Sequence, residues 1–196
     1  MVDFNGDGCP NGVLSGAMMY RSSSGGIIAF SIKDDHSIDE AQVAPSRSAV
    51  NAGFTSGSIA TTVSKFRHFG MALASLGDVD GDGQADVLSS TMRYDGVVLP
   101  WVSDSRSVGT GAIVLLSYNS DLLISRAVVL GDISSGINGM WPSGLFPAMQ
   151  GSFGASIAAS DLDGDGLTEV AVGLPEYRVP FDEISSGDVY RLSGKS

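Results

Sequence analysis

The chain has 196 residues, 43% of them hydrophobic, with 26 glycines, one cysteine and a formal net charge of −11. That charge argues against a nucleic-acid or anionic-membrane partner, the single Cys9 excludes an internal disulfide framework, and no apolar run is long enough to insert in a bilayer. A mean hydropathy of +0.17 points to a packed core rather than disorder, and the length suits one domain.

Met1 and Val2 lead directly into an acidic, glycine-rich loop, Asp3-Phe4-Asn5-Gly6-Asp7-Gly8-Cys9-Pro10-Asn11, with nothing before it that reads as a signal peptide. Gly12 to Tyr20 and Gly25 to Ile32 read as strands on either side of a serine-rich turn. From Lys33 to about Ser58 the chain is polar and weakly patterned, and is expected to form a long surface loop with one edge strand at most. Ile59 to Val63 reads as a strand. Phe69 to Leu76 alternates large and small residues into a second acidic loop, Asp78 to Asp86, and Val87 to Tyr94 leaves it. A long excursion from Asp95 to Thr110 carries Trp101; then Gly111 to Tyr118 and Ile124 to Leu130 form a hairpin about Asn119-Ser120-Asp121. Gly131 to Gly151 is rich in Gly, Ser and Pro and carries Trp141. Phe153 to Ala159 enters a third acidic loop, Asp161 to Glu169, Val170 to Tyr177 leaves it, and Gly187 to Leu192 is the last strand. No segment reads as a helix.

The three loops carry the chemistry. In Asp78-Val79-Asp80-Gly81-Asp82-Gly83-Gln84-Ala85-Asp86 four carboxylates alternate through nine positions. Two unit charges about 4 Å apart repel by roughly 4 kcal/mol at an effective dielectric of about 20, so crowding of this kind points to a hard cation. Carboxylate and backbone carbonyl oxygens at a turn are the donors calcium prefers. Asp161-Leu162-Asp163-Gly164-Asp165-Gly166-Leu167-Thr168-Glu169 repeats the spacing, and the loop 3–11 repeats it with a neutral ninth residue. Together the loops hold Asp3, Asp7, Asp78, Asp80, Asp82, Asp86, Asp161, Asp163, Asp165 and Glu169, ten of the 22 acidic residues. A simple Asx turn, whose Asp bonds nearby N–H groups, explains one Asp and one Gly but not three loops on one spacing. The first aspartates fall at 3, 78 and 161, a period that reads as a repeat array of about four antiparallel strands per unit.

Phe-Gly, then Asp-x-Asp-Gly-Asp-Gly, then a strand ending near Gly-x-Pro resembles the FG-GAP repeat, the blade unit of the integrin α-subunit β-propeller. The match is clearest from Phe153-Gly154 to Gly173-Leu174-Pro175; the second unit has Phe69-Gly70 but Ser90-Thr91-Met92 in place of its Gly-Ala-Pro. The resemblance implies an all-β fold of four-stranded propeller blades, about three repeats forming an open arc. Repeats are expected at about 1–65, lacking the leading strand, 66–150, and 151–196, lacking the return strand, as in a fragment of a longer propeller. Carried over by position, the resemblance gives calcium ligands at Asp78, Asp80, Asp82, the carbonyl of Gln84 and Asp86. The parallel set is Asp161, Asp163, Asp165, the carbonyl of Leu167 and Glu169. A third, weaker set is Asp3, Asn5, Asp7, the carbonyl of Cys9 and Asn11, where Gly12 is an extra residue that puts the ninth ligand in doubt.

Rival motifs are excluded by their own requirements. An EF-hand needs a glutamate at position 12 between helices; here that position is Leu14, Ser89 and Val172. The terminal Ser193-Gly194-Lys195-Ser196 lacks the P-loop glycine, Val189 standing in its place. His36 and His68 have no nucleophile beside them, and surface placement is the simpler reading. Trp101 and Trp141 sit in the long loops and either contact a ligand or cover the core between blades. The expectation is a non-enzymatic, extracellular or cell-surface module. Its long loops meet a protein or glycan ligand, and its bare edges meet further blades or a second copy. An accessory propeller of a larger secreted hydrolase or lipase, or a purely structural repeat, is the alternative.

Overall fold

The computed structural model describes residues 2–4, 6–19, 24–45, 53–91, 93–94, 111–132, 136–137, 153–166, 168–174 and 188–192. Three antiparallel sheets follow one another along the chain. The first contains β1 (Gly12–Gly16), β2 (Gly26–Ile32) and β3 (Ile38–Pro45), in that spatial order. A helix, α1 (Gly57–Val63), and a short strand, β4 (Phe66–Arg67), come next. The second sheet is built from β5 (Leu73–Gly77), β6 (Asp86–Thr91), β8 (Ala112–Tyr118), β9 (Ile124–Asp132) and β10 (Gly136–Ile137), in the order β10-β9-β8-β6-β5. The intervening β7 (Arg93–Tyr94) leaves that sheet to pair with β4. The third contains β11 (Ser156–Ser160), β12 (Glu169–Leu174) and β13 (Asp188–Leu192), in order. The fold is all-β and propeller-like without closing on itself.

Strand parity decides how the sheets stack, because successive side chains point to opposite faces. On the second sheet, Val87, Val114 and Leu116 join Ile27, Ala29 and Ala44 of the first sheet in one buried cluster. Their neighbours Leu88 and Ile113 point the other way and join Phe153, Val170 and Val172 of the third sheet in another. The middle sheet is therefore apolar on both faces, and β6 is buried at every residue.

The Phe-Gly pairs are the rivets of this stack. Phe69 is fully buried and stacks on Phe66 with ring centroids 5.6 Å apart. Its backbone reaches across to the first sheet, donating to the Ser24 carbonyl at 3.2 Å and accepting from Gly26 N–H at 2.9 Å. Gly70 follows because a Cβ there would lie 2.5 Å from the Gly26 carbonyl oxygen. Gly70 N–H donates to the Ser90 carbonyl at 3.2 Å, and Gly154 N–H donates to that of Gly173 at 3.0 Å. Ser90 thus occupies the place of the motif glycine, and its hydroxyl accepts from Ala72 N–H at 3.0 Å.

One expectation is corrected. Ile59 to Val63 is not a strand: it lies in α1. The β-branched residues suggested extended chain, but Ile59, Ala60 and Val63 fall on one helical face and pack against the first cluster. Thr61 and Thr62 tolerate the helix because their hydroxyls bond the carbonyls four residues back, at 2.8 and 3.2 Å. The single edge strand expected after Lys33 is present as the eight-residue β3 at the edge of the first sheet, its first half, Ile38 to Ala41, exposed. The Asn119 turn does form as expected, with Asn119 Oδ1 accepting from Leu123 N–H at 2.9 Å.

Tyr118 carries a polar group into the core. Its ring meets Phe4 at 5.5 Å, but its buried hydroxyl has no partner among the described residues. Burial raises its pKa above the ordinary 10.0. Tyr118→Phe removes an unsatisfied group and is expected to leave stability unchanged or raise it by up to about 1 kcal/mol at neutral pH. With the folded pKa above the unfolded one, the tyrosine's contribution is intact below about pH 10 and is lost as pH rises toward the folded value. The phenylalanine variant should therefore decline less steeply in urea midpoints measured between about pH 9 and 11.

Candidate metal centre

Loops 78–86 and 161–169 join β5 to β6 and β11 to β12, loop 3–11 leads into β1, and each is folded by its own aspartates. In the middle loop, Asp78 accepts from Gly81 N–H at 2.7 Å and from Gly83 N–H at 2.8 Å, one oxygen each. Asp161 accepts from Gly164 and Gly166 at 2.7 and 2.9 Å, and Asp3 accepts from Gly6 and Gly8 at 2.8 and 2.8 Å. Gly81 and Gly83 take φ of 78° and 84°, the left-handed region that lets both N–H groups turn inward. The fifth-position carboxylates close a smaller turn: Asp82 accepts from Gln84 N–H and Asp7 from Cys9 N–H, each at 2.8 Å.

The ninth residue closes each loop onto its second. Asp86 accepts from Val79 N–H at 3.0 Å and Glu169 from Leu162 N–H at 2.7 Å. Asn11 accepts from Phe4 N–H at 3.0 Å. The extra Gly12 therefore does not displace Asn11 from the bond to the second residue, which it makes without a charge. Asp86 is 2% exposed and Glu169 1%. Asp86 also accepts from Ser117 Oγ at 2.6 Å.

These bonds bring carboxylates together. Asp78, Asp80 and Asp86 each offer an oxygen within 4.8 Å of the others, as do Asp161, Asp163 and Glu169. Asp82 stands outside the first of these groups and Asp165 outside the second. Both groups combine two exposed carboxylates with a buried one. An all-oxygen set of three negative groups fits a hard divalent cation. The donor chemistry thus suits the ion expected from the sequence. Of the expected ligands, Asn5 and Leu167 lie outside the described residues, as do Trp101 and Trp141. Cys9 is an exposed free thiol.

Two neighbours of the site were not foreseen. Ser117 lies opposite Asp86 across β6 and β8, and Arg126 lies opposite Ser117 across β8 and β9. The Arg126 guanidinium reaches Asp80, with Nη1 3.3 Å from Oδ2. Strand register, which the sequence does not print, is the signal that places them. The first and second loops also touch: a Cβ on Gly6 would lie 2.0 Å from the Gly83 carbonyl oxygen. Phe4 is buried where its counterparts Val79 and Leu162 are 50% and 62% exposed.

Residues 153–190 match the FG-GAP repeat family. No curated protein matches the chain. The matched segment includes Phe153-Gly154, the loop that begins at Asp161, and β12.

Proposed function

We propose that this chain, with its FG-GAP repeat at residues 153–190, is a calcium-stabilised, non-enzymatic module of the integrin-α-like propeller type. Its repeats run at about 1–65, 66–150 and 151–196. Calcium neutralises each loop and fixes the hairpin between the first two strands of a unit. The rigid stack then presents its long loops to a protein or glycan ligand, at the cell surface or outside the cell, where millimolar calcium suits weak sites. The observation that carries this reading is the duplicated geometry of Asp78, Asp80 and Asp86 and of Asp161, Asp163 and Glu169.

Within this reading Asp78, Asp80, Asp86 and the matching trio hold the ion. Asp82 and Asp165, the carbonyls of Gln84 and Leu167, and ordered solvent complete a set of about six to eight oxygens. Asp3, Asn5, Asp7, Asn11 and the Cys9 carbonyl form a weaker third site, because Asn11 brings no charge.

Thermal unfolding in excess calcium and in chelator, with calorimetric stoichiometry, tests the reading. Calcium at about 100 times Kd adds roughly 2.7 kcal/mol per site. Two occupied sites should raise Tm by roughly 10–20 °C for a chain of this size, with a stoichiometry of two or three. A folded sample showing neither binding heat nor a shift would leave the loops as acidic turns.

A further inference from the structure

Arg126 places a basic side chain against a carboxylate of the middle acidic trio. Its guanidinium meets Asp80 at 3.3 Å, in a pair 53% and 33% exposed. Asp80 is also one of the three carboxylates whose oxygens gather within 4.8 Å. The same carboxylate therefore meets a guanidinium of the chain and belongs to a trio suited to a cation from solution.

We propose that Arg126 is an intramolecular competitor for the cation at loop 78–86, and sets that loop's affinity below what its carboxylates alone would give. The inference rests on the calcium reading above and assigns its regulation. The register supplies the mechanism. Asp86, Ser117 and Arg126 lie in one row across β6, β8 and β9. The row anchors the guanidinium beside the loop while Ser117 holds Asp86 at 2.6 Å. Without an ion, Arg126 offsets part of the repulsion among Asp78, Asp80 and Asp86. With a divalent ion bound, the same guanidinium is a like charge beside it. Its pairing with Asp80 must be loosened for the carboxylate to turn fully to the metal. A half-exposed pair is weak by itself, so the competition tunes binding and does not block it. The competition varies with ionic strength.

The test is calcium titration by calorimetry of the full chain in an Asp163→Asn background, which weakens loop 161–169 and leaves loop 78–86 as the principal site. Arg126 is compared with Arg126→Lys, Arg126→Gln and Arg126→Glu. The glutamine variant is expected to bind calcium about three- to tenfold tighter at low salt. The glutamate variant should bind tighter still, and the lysine variant close to the parent. The spread should shrink as salt is raised. Melting temperatures give a second readout: Arg126→Gln should melt below the parent in chelator and above it in calcium. Equal affinities across the four proteins, with calcium bound in all, would overturn the competition and leave the calcium reading standing. Weaker binding by Arg126→Gln would also overturn it, making Arg126 a support for Asp80. No calcium heat in any protein, including the chain without the Asp163→Asn change, would overturn both.

Discussion

Phe69→Ala is expected to destabilise the chain by about 3–5 kcal/mol, the range for emptying a fully buried aromatic site. That is a large part of the roughly 5–15 kcal/mol available to a folded domain. Phe69 is fully buried, stacks on Phe66, and carries on its backbone two bonds to Ser24 and Gly26 beside the first sheet. The cavity cannot close readily, because both sheets that line it are held by their own ladders. Urea unfolding in saturating calcium gives the measurement, and Phe153→Ala is the useful comparator. Phe153 lies in the other cluster, so its loss should loosen the third sheet while leaving the first docked. A loss below about 1 kcal/mol for Phe69→Ala would mean that the first two sheets are not stacked through this residue.

Asp86→Asn separates folding from cation binding. The first loop already carries the amide at this place: Asn11 accepts from Phe4 N–H at 3.0 Å, as Asp86 accepts from Val79 N–H at 3.0 Å. An amide at 86 can keep that bond with its oxygen and give Ser117 a donor in place of an acceptor. It also removes one of three crowded negative charges. In chelator the variant should therefore lie within about 1 kcal/mol of the parent. In calcium at about 100 times the parent Kd it should forfeit most of the roughly 2.7 kcal/mol that one site contributes. Paired melting curves and a stoichiometry lower by one would show this. Equal calcium stabilisation in parent and variant would remove Asp86 from the ion's ligands.

What the sequence made legible was local. The loops could be read because ligand spacing, Asx turns and glycine positions act within nine residues, and the Phe-Gly pairs because a large apolar residue beside a glycine is a short pattern. Strand positions followed from the same logic, but their ends did not: β1 stops at Gly16 inside the stretch 12–20, and β5 and β11 begin at Leu73 and Ser156, three or four residues after their phenylalanines; in α1 packing overrode propensity. The contacts that tune the site were not legible. Ser117 lies 31 residues from Asp86 and Arg126 46 residues from Asp80. Only the register of β6, β8 and β9 brings them together. The standing of Asn11 shows the same limit: counting residues put it out of step because of Gly12, whereas its bond to Phe4 puts it in place. Trp101 and Trp141, read as either contacting a ligand or covering the core between blades, lie outside the described residues.

The seating of Gly6 on the Gly83 carbonyl makes the length of each loop the other's concern. A solitary hairpin turn can gain or lose a residue and keep the consequence to itself. Here an insertion in loop 78–86 would push its tip into the backbone of the neighbouring unit, and any side chain at position 6 would do the same in reverse. Substitutions acceptable in one loop are thus conditional on the present shape of the other. The two loops can change over generations only as a matched pair, although 75 residues separate their first aspartates.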